Sequence, residues 1–174
     1  MFLPYYVRER PSGANEMMDE VIAAMKTMSE RKTGAMIGLM RDRAALEAMV
    51  LGVRLDAKVT TELLLAVFNK SGPLHDGAAI IDDDVLRYAG CFFPLSEREQ
   101  SIRFLGSRHH AGLGMTERAD IVVLVVSEET GAMSVCHNGR IAYNLTGEQV
   151  GKLAGLLLSP DPARATVLPA AMPE

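Results

Sequence analysis

The sequence has no tryptophan, only nine other aromatic residues counted as four Tyr and five Phe, and only two cysteines among 174 residues. Cys91 and Cys136 each sit alone in an apolar stretch, without the paired spacing of a zinc site or a redox motif. They read as small core residues of a reducing compartment, which excludes a disulfide-built secreted scaffold. No apolar run reaches the roughly 18–20 residues of a membrane span. Met1 to Arg10 has no apolar stretch long enough for a signal peptide. The expectation is therefore a soluble, cytoplasmic chain. An excess of positive charge is also missing, since 18 Lys and Arg stand against 22 Asp and Glu, a net charge of −4. A nucleic-acid polymer or an anionic membrane surface asks for a net basic footprint, so neither is expected as a partner. A single nucleotide needs only a local cluster of donors and stays open. The familiar phosphate loop G-x-x-x-x-G-K-[ST], the nucleophile elbow and H-E-x-x-H are absent as well.

What is present is an ordinary globular composition, 48% apolar and 23% charged, of a length that suits one domain. Apolar residues at Met17, Met18, Val21, Ile22, Met25 and Met28 recur at three- and four-residue steps. They predict an amphipathic helix over 15–28, capped by Asn15 and ended near Gly34. Its methionine stripe is either an adaptable binding face or core, and the periodicity favours core. A buried strand at 35–40 follows, then helices at 43–50 and 60–69, the latter capped by Thr60 or Thr61. After the Lys70-Ser71-Gly72-Pro73 break come two apolar runs, 78–81 and 85–93. Asp82-Asp83-Asp84 between them reads as a hairpin turn, preferred over a metal site because adjacent residues alternate in direction. A helical region spans about 101–117, and strands are expected at 121–126 and 132–135. Asn138-Gly139 signals a hairpin between 135–137 and 140–143. Thr146 with Gln149 is a capping-box pattern that opens a last helix to about Leu158. The sum is one α/β domain over 14–158 with a mixed central sheet flanked by helices, an extension at 1–13 and a loose Pro/Ala-rich tail at 159–174.

Polar groups break the apolar pattern in three places. Leu74-His75-Asp76-Gly77-Ala78 puts an imidazole and a carboxylate beside a glycine at the head of a buried strand. That suits a metal or a hydroxyl, or else a turn with a satisfied histidine. Gly106-Ser107-Arg108-His109-His110 offers a hydroxyl, a guanidinium and two imidazoles to a phosphate, more so if a helix begins there; an exposed helix face is the alternative. Zinc is disfavoured at His109 and His110, because consecutive helical positions point about 100° apart. Ser127-Glu128-Glu129-Thr130-Gly131 follows an apolar strand, where open α/β sheets bind ligands, although alone it reads as a solvated turn.

Taken with Cys91-Phe92-Phe93-Pro94-Leu95-Ser96, these runs resemble the diadenylate cyclase (DAC) domain, in that family's order and spacing, over roughly Met17 to Leu156. The likeness is strongest to the catalytic domain of membrane-anchored bacterial cyclases, which carry transmembrane helices ahead of the domain; a membrane anchor in a longer native chain is one implication. The resemblance implies synthesis of cyclic di-AMP from two ATP, with release of two pyrophosphates, in a face-to-face dimer. It implies catalytic roles for Asp76, Gly77, Ala78, Arg108 and His109. Asp76 would activate the ribose 3′-hydroxyl or hold a divalent ion (Mn²⁺, Mg²⁺ or Co²⁺) with His75. Leu74, Phe92, Phe93, Leu95, Gly106, Ser107, His110, Ser127, Glu128 and Glu129 would contact the nucleotide, the two phenylalanines around adenine. Ser107 stands where a threonine is commoner. The family's Arg-His-Arg reads Arg108-His109-His110 here, so one charged phosphate contact is expected to be lost. A slow enzyme, or a nucleotide-binding regulatory domain with little turnover, follows from that change.

Overall fold

The structure, a computed structural model, describes residues 13–98 and 104–159. Of the expected extension and tail only Gly13 and Ser159 are described, and the helical expectation over 101–103 also lies outside these residues. In chain order the elements are α1 (Gly13–Glu30), β1 (Ala35–Met40), a 3₁₀ segment (Arg43–Ala48), β2 (Val53–Lys58) and α2 (Thr61–Val67). There follow β3 (Ala78–Asp82), β4 (Val85–Cys91), α3 (Ser107–Arg118), β5 (Ile121–Val126), β6 (Met133–His137), β7 (Arg140–Leu145) and α4 (Gly147–Leu158). The strands form one mixed sheet in the order β2-β4-β3-β1-β5-β6-β7. Only β1 and β3 run parallel; every other neighbouring pair is antiparallel.

Strand periodicity explains how two cores share one sheet. Successive side chains point to opposite faces, so Val122, Leu124 and Val126 of β5 join one core while Ile121, Val123 and Val125 join the other. A strand buried on both faces reads as an unbroken apolar run. The first core lies under α1, α2 and α4, whose methionine stripe (Met17, Met18, Met25, Met28) is fully enlisted in packing. The second lies under α3 and the 3₁₀ segment and contains both cysteines.

Four expectations need correction. Helix α1 begins at Gly13, so Asn15 lies inside it and is not its cap. The helix expected at 43–50 is a six-residue 3₁₀ turn, opened by Asp42, whose carboxylate accepts from the Ala44 N–H at 2.9 Å. Val50 is already paired with Phe92, which leaves no room for an α-helical second turn. Helix α3 starts only at Ser107, after Gly106. Strand β2 was not expected at all. It is an edge strand with mostly exposed side chains, and its register shifts around Asp56, which sits at φ 48°. Elsewhere the local signals hold: Thr60 caps α2, the Asp-rich hairpin joins β3 to β4, Asn138-Gly139 joins β6 to β7, and the Thr146–Gln149 capping box opens α4. Among the described residues no helix is long and apolar enough to cross a membrane.

Candidate active site

The sheet registers bring two of the three polar clusters to one edge, and α3 brings the third beside them. Ala79 of β3 lies beside Ile37 of β1, and Ala35 of β1 lies opposite Val126 of β5. The segments that precede β1 and β3 and the one that follows β5 therefore share that edge. Since neighbouring strands are about 4.8 Å apart, the backbones near Asp76 and Ser127 are separated by on the order of 10 Å. The edge is the carboxyl end of β5 but the amino end of the parallel pair β1 and β3. This differs from the strand-end rule for open parallel sheets, because antiparallel neighbours interleave the two kinds of end.

Each segment has a local reason for its conformation. Gly77 has φ +97°, and a Cβ there would stand 2.6 Å from the Cys91 carbonyl oxygen, so only glycine lets the Asp76 loop approach β4 so closely. Asp76 is exposed beside it. His75 is half-buried, with Nδ1 2.7 Å from the Gly72 carbonyl oxygen. A carbonyl only accepts, so Nδ1 carries a proton, and in the neutral ring Nε2 is the nitrogen with the free lone pair. That tautomer, fixed by a backbone acceptor, is the one a histidine uses to ligate a metal through Nε2. The donor set of His75 Nε2 and the Asp76 carboxylate thus fits a divalent ion. Among the described residues no three His, Cys, Asp or Glu side chains gather to hold one alone, so phosphate oxygens and water would complete the shell.

On the other side, α3 begins at Gly106 without a side-chain cap, which leaves N–H groups of its first turn free to meet an anion. Arg108 reaches from this turn across the start of β1. Its guanidinium lies so close to Gly34 that a Cβ there would be 2.6 Å from Cζ. Its Nη1 is 3.2 Å from Glu128 Oε2. The Ser127 hydroxyl accepts from the Glu129 and Thr130 N–H groups, which closes the turn that presents Glu128. Gly106 to His109 and Ser127 to Glu129 line a small cleft of about 40 Å³. That is far below the roughly 300–1,000 Å³ of a pocket that engulfs a ligand, so this cleft accommodates part of a nucleotide only.

His109 behaves differently from its neighbours. It is 2% exposed, its Nε2 lies 3.4 Å from Ser134 Oγ and its ring packs 5.7 Å from that of Tyr143. Burial, assisted by nearby His110, pushes its pKa down to about 4. It is neutral at physiological pH and carries no charge to offset a phosphate; it ties α3 to β6 and β7. The apolar candidates divide. Phe92 and Leu95 are exposed near this edge, Leu74 packs against the first core, and Phe93 turns inward over Gly38 into the second core. Phe93 is thereby kept away from the exposed surface that Phe92 offers. Sequence reasoning missed Gly34, which it took only as the end of α1, and Ser29, whose hydroxyl donates to the Gly131 carbonyl and ties α1 to the Ser127 loop. A glycine directly ahead of a fully apolar strand was the available signal for the first.

Comparison with known proteins settles the family. The DAC family model, described as DisA bacterial checkpoint controller nucleotide-binding, matches residues 22–141. The chain belongs to the DAC family. It is 37% identical over 136 residues to the cyclic di-AMP synthase CdaA of Bacillus subtilis, covering 78% of this chain and 50% of that protein. It is 33% identical over 139 residues to a diadenylate cyclase of Listeria monocytogenes, covering 80% and 51%. The chain thus spans about half the length of these relatives. The crystal structure of a double mutant of DacA from Staphylococcus aureus is similar at a TM-score of 0.74 and 32% identity, covering 80% of this chain and 93% of that one. The mixed sheet with helices on both faces is the DAC fold.

Proposed function

We propose that this DAC-family chain is a diadenylate cyclase, a nucleotidyltransferase that joins two ATP into cyclic di-AMP and releases two pyrophosphates, with residues 14–158 as the catalytic unit. The observation that carries this reading is the meeting of Asp76-Gly77, Arg108 and Ser127-Glu128 at one sheet edge, beside the uncapped start of α3. In the reaction a ribose 3′-oxygen attacks an α-phosphorus in line while the bond to pyrophosphate breaks, a step governed by positioning and charge neutralisation. Asp76 accepts the proton of the attacking hydroxyl. Arg108 and the first N–H groups of α3 hold the triphosphate. Glu128 occupies Arg108 before the nucleotide arrives, and a triphosphate of higher charge replaces it. The exchange costs little, because a pair with a half-exposed carboxylate contributes at most about 1 kcal/mol. Phe92 and Leu95 offer apolar surface to adenine.

A divalent ion held by His75 Nε2 and Asp76 would supply further neutralisation of the triphosphate. The mixed nitrogen and oxygen set suits manganese or cobalt better than magnesium. ATP as substrate places the reaction in the cytoplasm, on a soluble domain or one tethered to the inner face of the membrane in a longer chain.

A second reading, a nucleotide-binding regulatory domain with little turnover, is favoured by the pairing of Arg108 with Glu128 and by the resemblance, which puts His110 where the family's Arg-His-Arg has its second arginine. Incubation of the purified chain with ATP and manganese, magnesium or cobalt in turn, with products resolved by chromatography, separates the two. Cyclic di-AMP is expected with at least one metal, and Asp76→Asn should abolish it while ATP binding stays largely intact. ATP bound without product under all three metals, at high protein concentration, overturns the enzyme reading in favour of the second.

A further inference from the structure

A groove of about 300 Å³ opens on the α1–α2 face of the same sheet edge, across the start of β1 from the cleft at Arg108. Met28 and Leu65 form its apolar floor, and Arg31, Thr33, Asn69 and Lys70 supply its polar wall. Among the described residues no carboxylate lines it, although the chain as a whole is acidic. Neither Arg31 nor Lys70 has an ion-pair partner among the described residues. The Asn69 side-chain oxygen accepts from the Ser71 N–H, which occupies the oxygen locally and leaves its NH₂ as a donor. Two cations, an amide donor and a hydroxyl therefore face one concavity over an apolar floor. Donors in excess of acceptors, with two full charges, select an anion of more than one charge.

We propose that this groove is a second binding site, for a diphosphate group, separate from the cleft at Arg108 and independent of whether the chain makes cyclic di-AMP. Gly34 and Thr33 are adjacent yet serve different sites, the first seating Arg108 and the second lining the groove. The diphosphate is either free pyrophosphate or that of a nucleotide, whose base or ribose would meet the half-buried Leu65.

The test is calorimetric titration of the purified chain with inorganic pyrophosphate, in an Arg108→Ala background that removes the first cleft. One site is expected to remain, and adding Arg31→Ala and Lys70→Ala should weaken it about tenfold or more. Adding ADP to the Arg108→Ala protein identifies the source: tighter binding than pyrophosphate assigns a nucleotide, weaker binding assigns the free anion. Orthophosphate binding as tightly as pyrophosphate overturns the diphosphate assignment. Both cations also follow helix ends, α1 and α2, where they could serve only the last carbonyls. Unchanged pyrophosphate affinity together with a lowered melting temperature in the Arg31→Ala, Lys70→Ala protein assigns them to that role and overturns the site.

Discussion

Gly34 and Arg108 show how one missing methyl group seats a guanidinium. Gly34 is not among the glycines with positive φ, so alanine is acceptable to its backbone. The added Cβ would nevertheless stand 2.6–2.7 Å from Cζ and Nη1 of Arg108. The far end of a flexible side chain gives way, so the fold should survive and the guanidinium should move. Gly34→Ala is expected to lower kcat/KM for ATP by roughly ten- to a hundred-fold, the equivalent of one charge-assisted contact of about 1.5–3 kcal/mol. Urea unfolding should change by less than about 1 kcal/mol. A full-strength Gly34→Ala enzyme would show that Arg108 is not held in a working position by this seat. Most of the site was legible because its residues break apolar patterns: His75-Asp76 ahead of β3, Ser107-Arg108 ahead of α3, Ser127-Glu128 after β5. Gly34 was not, since its role lies in what it leaves out for a residue 74 positions later in the chain.

His109 gives a second residue-scale prediction. Its folded pKa of about 4 lies below the ordinary 6.5, so the unfolded chain binds this proton first as pH falls. Its neutral form contributes fully above about pH 6.5, and the contribution drains away between 6.5 and 4. The expected loss is up to about 3 kcal/mol, on the scale of 1.36 kcal/mol per unit. His137 adds in the same direction, because burial first and then Arg41 lower its pKa as well. His109→Gln, which cannot take up a proton, should unfold in urea with a visibly flatter dependence between pH 7 and pH 5 than the parent. Parallel curves would mean that folding does not lower the pKa of His109.

At the scale of elements, α3 is the part on which the site turns. Its N-terminus carries Arg108 to the cleft shared with Ser127–Glu129, and its middle is pressed against the 94–96 segment. A Cβ on Gly114 would lie 2.1 Å from the Pro94 carbonyl oxygen, and the Ser96 N–H donates to the His110 carbonyl at 3.0 Å. Here the obstacle is backbone, which cannot swing away. Gly114→Ala should therefore cost about 1–3 kcal/mol through overpacking and reduce turnover by tilting Arg108. Unchanged stability by thermal melting would show that α3 has slack against this segment. The elements that sequence reasoning located well, β5, the Asn138-Gly139 hairpin and α4, are those specified by burial on both faces or by a local turn or cap. The 3₁₀ segment and β2 were lost for the opposite reason. The pairing of Val50 with Phe92 shortens the first, and the second is an exposed edge with a register shift, so neither has a strong periodic signature.

For the whole molecule, the decisive feature is that the site is open. The cleft at Arg108 is far too small to enclose a nucleotide, and the apolar surface nearby is unusually bare. Val50, Leu51, Val53, Phe92 and Leu95 are all exposed, along the segment where Val50 pairs with Phe92. A cyclic dinucleotide has two equivalent halves, each made by attack of one ribose on the other nucleotide's phosphorus. Two copies of one site related by a two-fold axis match that symmetry, whereas a lone site supplies one set of groups for two identical steps. If the proposed function holds, two chains meeting face to face would complete the enzyme, and bare apolar surface beside the site suits such an encounter. Specific activity should rise with protein concentration through the range where sedimentation shows monomer passing into dimer, and should level off once the dimer dominates. If each chain contributes one half-site in such a dimer, mixing Asp76→Asn protein into the parent should depress activity by more than dilution alone. A rate per chain that stays constant across that range, in protein shown to be monomeric, would rule out the face-to-face assembly.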